Sequence, residues 1–210
     1  MEEPFEAAGV RGFLHRPDRG IGNALALTHG AGSNCKAPLL VRLAHAFEGA
    51  GYIVLRYDLP FRQQRAKGPP FPAAAERDRE GVARAAEALH GMTHGPVILG
   101  GHSYGGRQSA MLAAARPELA SALLLLSYPL HPPNKPAQPR TSFFPDLRLP
   151  ALFVHGTNDP FGSLEELREA MGLIPARTDL LAVEGAGHDL ARAADLAVDL
   201  IERLQVLAAS

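Results

Sequence analysis

An α/β fold with a mostly parallel, doubly wound sheet is predicted by three observations. Short apolar runs bounded by turn residues recur along the chain. Longer segments with helical spacing separate most of them. A glycine-flanked serine falls where one such run gives way to a helix. Apolar runs without alternation suit strands covered on both faces, and strand–helix alternation predicts parallel strands with helices on either side. The 210 residues fit a single domain, 1–210, around one sheet.

The elements follow in order. The opening "PFEAAGVRGFLHRP" reads as an antiparallel hairpin at the sheet edge, and "ALALTHG" as the first inner strand. Pro38 to Gly51 carries Leu39, Leu40, Leu43 and Phe47 at helical spacing, with Gly51 as a stop. "YIVLRYD" is the next strand and Ala73 to His90 the next helix. "PVILGGHS" leads into a helix from Tyr104 to Arg116, halted by Pro117. "SALLLLSYP", "ALFVHGTND" and "DLLAVEG" complete the strands. Asp189 to Leu207 reads as a closing helix with Ala193, Ala197, Leu200, Ile201 and Leu204 on one stripe. Two proline-rich stretches, Leu59 to Pro72 and Tyr128 to Pro150, suit neither helix nor inner strand. Each follows a predicted strand, so both emerge at the carboxyl edge, where open α/β sheets bind ligands.

Composition narrows the function. Hydrophobic residues at 46% and charged residues at 20% match ordinary globular proteins. A net charge of −1 supplies no field toward nucleic acid or an anionic membrane. Runs such as "ALLLLSYPL" are too short to span a bilayer, and "MEEPFEAAGV" carries acids where a signal peptide is basic. Cys35, the single cysteine, has no internal disulfide partner, which favours a reducing compartment. The expectation is a cytoplasmic protein acting on a small molecule, with neither nucleic-acid nor membrane partner. Oligomeric state leaves no signature.

The chemistry centres on Ser103. Gly101-His102-Ser103-Tyr104-Gly105 matches G-x-S-x-G between a predicted strand and a predicted helix. A turn this sharp needs small neighbours, and it lifts the serine oxygen above the sheet edge at a helix N-terminus. A serine nucleophile needs a base, and the base an orienting acid, in the chain order serine, acid, histidine. Asp159 and His188 each follow their own predicted strand in that order. Asp58 precedes the serine, Asp146 lacks a strand before it, and Asp189 suits a helix cap. His102, His155, His90 and His94 offer no equal base, and the His90/His94 pair lacks further ligands for a metal. For the oxyanion, the amide of Tyr104 is one expected donor. The loop "THGAGSN" supplies the other, with Ala31 favoured over Gly30. His29, Arg56, Arg62, Arg65 and Arg107 are candidate substrate contacts, because a basic stretch follows the second inner strand and Arg107 lies one turn beyond Ser103. The competing reading of that stretch is a solvated loop.

These segments carry a family resemblance. "THGAGSN", "GGHSYGG", "HGTNDP" and "GAGHDL" resemble the oxyanion, nucleophile, acid and base segments of the α/β-hydrolase superfamily, from about Ala24 to the C-terminus. "LTHGAGSN…APLL", "LRYDLPF" and "LLLLSYPLHPP" resemble a compact branch. It includes testis-expressed hydrolase-like proteins, bacterial predicted hydrolases and the related subunit of a histone-acetyltransferase complex. The chain is also similar in size to dienelactone hydrolases, whose nucleophile is usually cysteine where Ser103 stands here. The resemblance implies a cofactor-free serine hydrolase acting on an ester, thioester or amide. Many relatives insert a helical lid before the strand that precedes the acid. Here Leu130 to Leu149 is too short and proline-rich for one, so a lid-free site is expected. Because the branch contains scaffold proteins, a hydrolase-like binding module is the alternative it implies.

Overall fold

A computed structural model describes residues 2–191 and 193–208. The strands are β1 (Glu2–Ala7), β2 (Val10–His15), β3 (Ala24–Thr28), β4 (Ile53–Asp58), β5 (Val97–His102), β6 (Ala122–Leu126), β7 (Ala151–Gly156) and β8 (Thr178–Val183). They form one eight-stranded sheet in the order β1-β2-β4-β3-β5-β6-β7-β8. The β1–β2 and β2–β4 pairs are antiparallel, as the opening hairpin predicts, and the remaining pairs are parallel. This is the α/β-hydrolase fold in a single domain.

Helices cover both faces. These are α1 (Pro38–Gly49), α2 (Pro60–Gln64), α3 (Ala75–His90), α4 (Tyr104–Ala115), α5 (Leu164–Met171) and α6 (Ala197–Ala208). Side chains alternate across a strand. Leu25 and Leu27 of β3 therefore join the core beneath α1 and α6, while Ala24 and Ala26 join the core beneath α3, α4 and α5. Helix α5, which the sequence reading did not assign, buries Leu167 and Met171 one turn apart and starts at a capping box: Ser163 accepts from the Glu166 amide, and Glu166 accepts from the Ser163 amide.

Three expectations are corrected. The proline-rich Leu59–Pro72 stretch contains α2, because Pro60 occupies the first helical position, where no amide donor is needed. The helix expected from Ala73 starts at Ala75, after a 3₁₀ turn at Pro72–Ala74. The closing helix begins at Ala197 rather than Asp189. Leu190 sits at φ 50°, which a right-handed helix excludes, and a 3₁₀ turn at Ala193–Leu196 intervenes. Leu200, Ile201 and Leu204 are buried as the stripe requires, whereas Ala197 is only partly covered. Between β6 and β7 the regular structure is a single 3₁₀ turn, Phe144–Asp146, so no large helical lid stands over the sheet edge.

Candidate active site

Ser103 is the N-cap of α4, with φ 51° and ψ −115°. A non-glycine residue there is strained. The glycines around it make the turn sterically feasible. A Cβ on Gly101 would lie 2.6 Å from the Gly106 nitrogen, and one on Gly105 would lie 2.5 Å from the His29 carbonyl oxygen. Strand β5, helix α4 and the loop after β3 therefore meet closer than any side chain allows. The Ser103 amide continues the sheet by donating to the Leu126 carbonyl at 2.8 Å.

The carboxyl edge brings Ser103, His188 and Asp159 together. His188 Nε2 lies 2.8 Å from Ser103 Oγ, and its Nδ1 lies 2.8 and 3.0 Å from the two Asp159 oxygens. The Asp159 carboxylate is fully buried and the His188 ring is partly open. Burial alone would raise the Asp159 pKa. The His188 bond, the Phe161 amide at 2.9 Å and the nearby imidazoles outweigh it, leaving the pKa below the ordinary carboxylate value. An ionised acid dictates the tautomer: Nδ1 carries the proton toward Asp159, and Nε2 is free to accept from Ser103.

Two further histidines hold the loops, and sequence reasoning assigned neither this role. His102 Nε2 donates to the His188 carbonyl at 2.7 Å, and burial lowers its pKa, so the ring is a neutral brace. His155 Nε2 donates to the Gly162 carbonyl at 2.8 Å beneath the acid loop. Phe161 lies over the His188 ring with centroids 4.2 Å apart.

The loop after β3 is fixed atom by atom. The Leu59 amide donates to His29 Nε2 at 3.1 Å, so the proton sits on Nδ1 and is donated to the Gly30 carbonyl at 2.8 Å. Burial first, opposed by the Gly30 bond and the Asp58 charge, lowers the His29 pKa to about 4. A trans peptide points its carbonyl and following N–H in opposite directions. Holding the Gly30 oxygen toward His29 thus turns the Ala31 amide the other way. The Tyr104 amide opens α4 and has no intrahelical acceptor.

The basic candidates sit differently from expectation. Arg62 is buried and donates to four carbonyls, those of Ala31, Ser33, Arg65 and Gly68, at 2.7–3.0 Å. It cross-braces the loop after β3 against α2, spending four of its five N–H donors on backbone oxygens. Arg56 is buried within β4 and engages Glu2, His15 and the Cys35 carbonyl. Arg65 packs over Phe71 and donates to the Pro69 carbonyl. His29 is fully buried as a loop brace. Asp78 was missed altogether. It is fully buried in α3, accepting from the Tyr104 hydroxyl at 2.8 Å and the Phe61 amide at 3.0 Å. Its signal was a carboxylate on the same helical stripe as Val82 and Ala85.

Glu2, His15 and His45 bring three potential metal ligands together at the other edge of the sheet. There His15 Nε2 already accepts from Arg56 Nε at 2.8 Å, and the adjacent guanidinium charge opposes a cation. On the β3 side of Ser103 a cavity of about 420 Å³ opens between the Gly30 loop, His102, Ala191 and the apolar residues Pro38, Leu39 and Leu40.

The order in which this sheet delivers serine, acid and histidine is that of α/β hydrolases. A family model described as an alpha/beta hydrolase domain matches residues 22–209, and the chain belongs to that family. Solved structures share the fold at low identity. A dienelactone hydrolase from Anabaena variabilis aligns with TM-score 0.74 and 21% identity, covering 97% of this chain and 98% of that one. A lid-free α/β serine hydrolase from Xanthomonas campestris gives TM-score 0.71 and 16% identity over 97% and 94%. An α/β serine hydrolase homologue from Coxiella burnetii gives 0.71 and 17% over 99% and 95%. No helix among the described residues is long and apolar enough to cross a membrane.

Proposed function

We propose that the protein is a serine hydrolase that cleaves a carboxylic ester of a small soluble molecule through an acyl-enzyme. The observation that carries this reading is the hydrogen-bonded chain Ser103–His188–Asp159, with its serine on a strained turn. Ser103 Oγ attacks the carbonyl carbon while His188 Nε2 takes its proton. Asp159 holds the imidazole and stabilises the imidazolium. The Tyr104 and Ala31 amides, with Gly30 the second candidate in that loop, stabilise the oxyanion. His188 returns the proton to the leaving oxygen as the carbonyl re-forms. Water, deprotonated by the same imidazole, then releases the acid and restores the serine. No metal or organic cofactor enters this scheme. The apolar cavity beside Gly30 suits one flank of a small ester, and a cytoplasmic setting accords with the lone buried Cys35.

The test is covalent labelling with a fluorophosphonate probe, followed by peptide mapping. Ser103 is the expected site, and Ser103→Ala should abolish both labelling and ester hydrolysis in a folded protein. Labelling of another serine, or an unmodified protein that is folded yet inert toward a panel of acyl esters, would refute the reading and favour a hydrolase-like binding module.

A further inference from the structure

Asp78 is a fully buried carboxylate to which the proposed chemistry gives no part. On α3 it interrupts a face otherwise made of Val82, Ala85, Ala86 and Leu89. An ionised group in such a place is costly unless hydrogen bonds satisfy it. Its two oxygens are spent on two different elements. Oδ2 accepts from the Tyr104 hydroxyl at 2.8 Å, and Oδ1 accepts from the Phe61 amide at 3.0 Å. Each contact leads to one of the expected oxyanion donors.

The first arm reaches the turn at Ser103. Tyr104 is the first residue of α4, and its amide is one expected donor. Its hydroxyl is held by Asp78, and its ring packs against Phe61 with centroids 5.8 Å apart and planes nearly perpendicular. The Arg107 amide donates to the Ser103 carbonyl at 3.0 Å, which ties the turn to the opening of α4. The second arm runs through α2. The Phe61 amide lies in the first turn of that helix, where no intrahelical acceptor exists, and Asp78 supplies one. Leu59, two residues earlier, donates its amide to His29 Nε2, and His29 holds the Gly30 carbonyl that turns the Ala31 amide outward. Arg62, one residue later, holds the Ala31 carbonyl at 2.9 Å. Gly81 lets α3 come this near, since a Cβ there would lie 2.4 Å from Pro60 Cδ. The Phe61 ring stands between the arms, 5.8 Å from Tyr104 and 5.6 Å from His29.

We infer that Asp78 is a positioning residue that fixes the two halves of the oxyanion hole relative to one another, one oxygen holding the Tyr104 side and the other the α2 scaffold of the Ala31 loop. The inference rests on the reading of Ser103 as nucleophile. Two amides on separate elements stabilise an oxyanion only when both point at the same atom, and a displacement of about 1 Å costs up to about 10²-fold in rate. The role needs two hydrogen bonds rather than a charge. An asparagine oxygen accepts from Phe61, and its NH₂ donates to the Tyr104 hydroxyl, which accepts as well as donates.

The experiment measures hydrolysis of p-nitrophenyl acetate per titrated serine, so that unfolded protein does not count, alongside backbone amide NMR shifts of the full chain. Asp78→Ala should lower kcat by about 10²-fold with KM within about threefold of wild type. The Tyr104 and Ala31 amide resonances should both move, although Ala31 has no direct contact with Asp78. Asp78→Asn should restore kcat to within about tenfold of wild type. Val82→Ala, one turn along α3, removes buried methyls without touching either arm; it should lower Tm while leaving kcat and the Ala31 amide in place. If Asp78→Ala does not fold, Tyr104→Phe decides: it cuts one arm, so kcat should fall by about tenfold at constant KM while the Ala31 amide stays put. An unmoved Ala31 amide in Asp78→Ala, an unchanged kcat in either variant, no recovery in Asp78→Asn, or an equal loss in Val82→Ala would overturn the inference. Failure of the hydrolase reading shows differently, as a wild type that neither takes up a fluorophosphonate at Ser103 nor hydrolyses the ester. The amide shifts then still decide whether Asp78 holds both loops.

Discussion

Replacing Asp159 by asparagine puts the proposed chemistry to its sharpest test, because the structure defines what each atom of the amide would face. Two carboxylate oxygens now lie 2.8 and 3.0 Å from His188 Nδ1, and one of them also accepts from the Phe161 amide. Asparagine keeps one acceptor. The Phe161 N–H claims it, which turns the NH₂ group toward Nδ1. The imidazole proton then moves to Nε2, and a protonated Nε2 cannot accept from Ser103 Oγ at 2.8 Å. The wrong tautomer should lower kcat by about 10⁴-fold, equivalent to about 5.5 kcal/mol of lost transition-state stabilisation. The side chains are nearly isosteric, so the fold should persist. Steady-state hydrolysis with active-site titration, beside the rate of fluorophosphonate labelling, measures the effect. Asp146→Asn is the control: that carboxylate is exposed on the 3₁₀ turn Phe144–Asp146, and its loss should be nearly silent. If Asp159→Asn stays within about tenfold of wild type, while folded and fully titratable, the tautomer argument fails and Asp159 is not the orienting acid.

Other expectations concern packing, pH and access. Gly105→Ala should destabilise the protein by about 1–3 kcal/mol, read as a lowered Tm, because the new methyl meets the His29 carbonyl at 2.5 Å and Thr28 Cγ2 at 2.7 Å; an unchanged Tm would mean the loop yields freely. His29 has a folded pKa of about 4 against 6.5 for the free side chain. Between those values the unfolded chain binds a proton that the native state refuses, so stability should fall as pH drops from 6.5 toward 4, by up to about 3 kcal/mol. Urea unfolding at stepped pH should show this loss, with a shallower slope in His29→Gln; the same slope in the variant would assign the loss to other groups. Without a helical lid, hydrolysis of a long-chain ester should show no upward jump at its critical micelle concentration, and a sharp jump would reveal a segment that opens at interfaces.

Local chemistry made much of this protein legible from its sequence. Unalternating apolar runs such as "ALLLL" mark strands buried on both faces, and glycines around Ser103 mark a turn where β5, α4 and the β3 loop nearly touch. The spacing of Ser103, Asp159 and His188 after separate strands carries their likeness to a triad, since a parallel sheet delivers every such loop to one edge. Short elements whose signals are caps rather than periodicity were not legible: α2 hides behind Pro60, and Leu190 in a left-handed conformation delays α6 to Ala197. Partners that lie far apart along the chain were invisible for a different reason. A charged side chain looks the same in sequence whether it meets water, a carbonyl or another charge. Only the tertiary structure decided that Arg62 gives four of its donors to backbone oxygens, that His29 turns the Ala31 amide outward, and that Asp78 sits beneath Tyr104. Hydrogen bonding and desolvation depend on what the fold packs around a group, and residue type alone does not specify that.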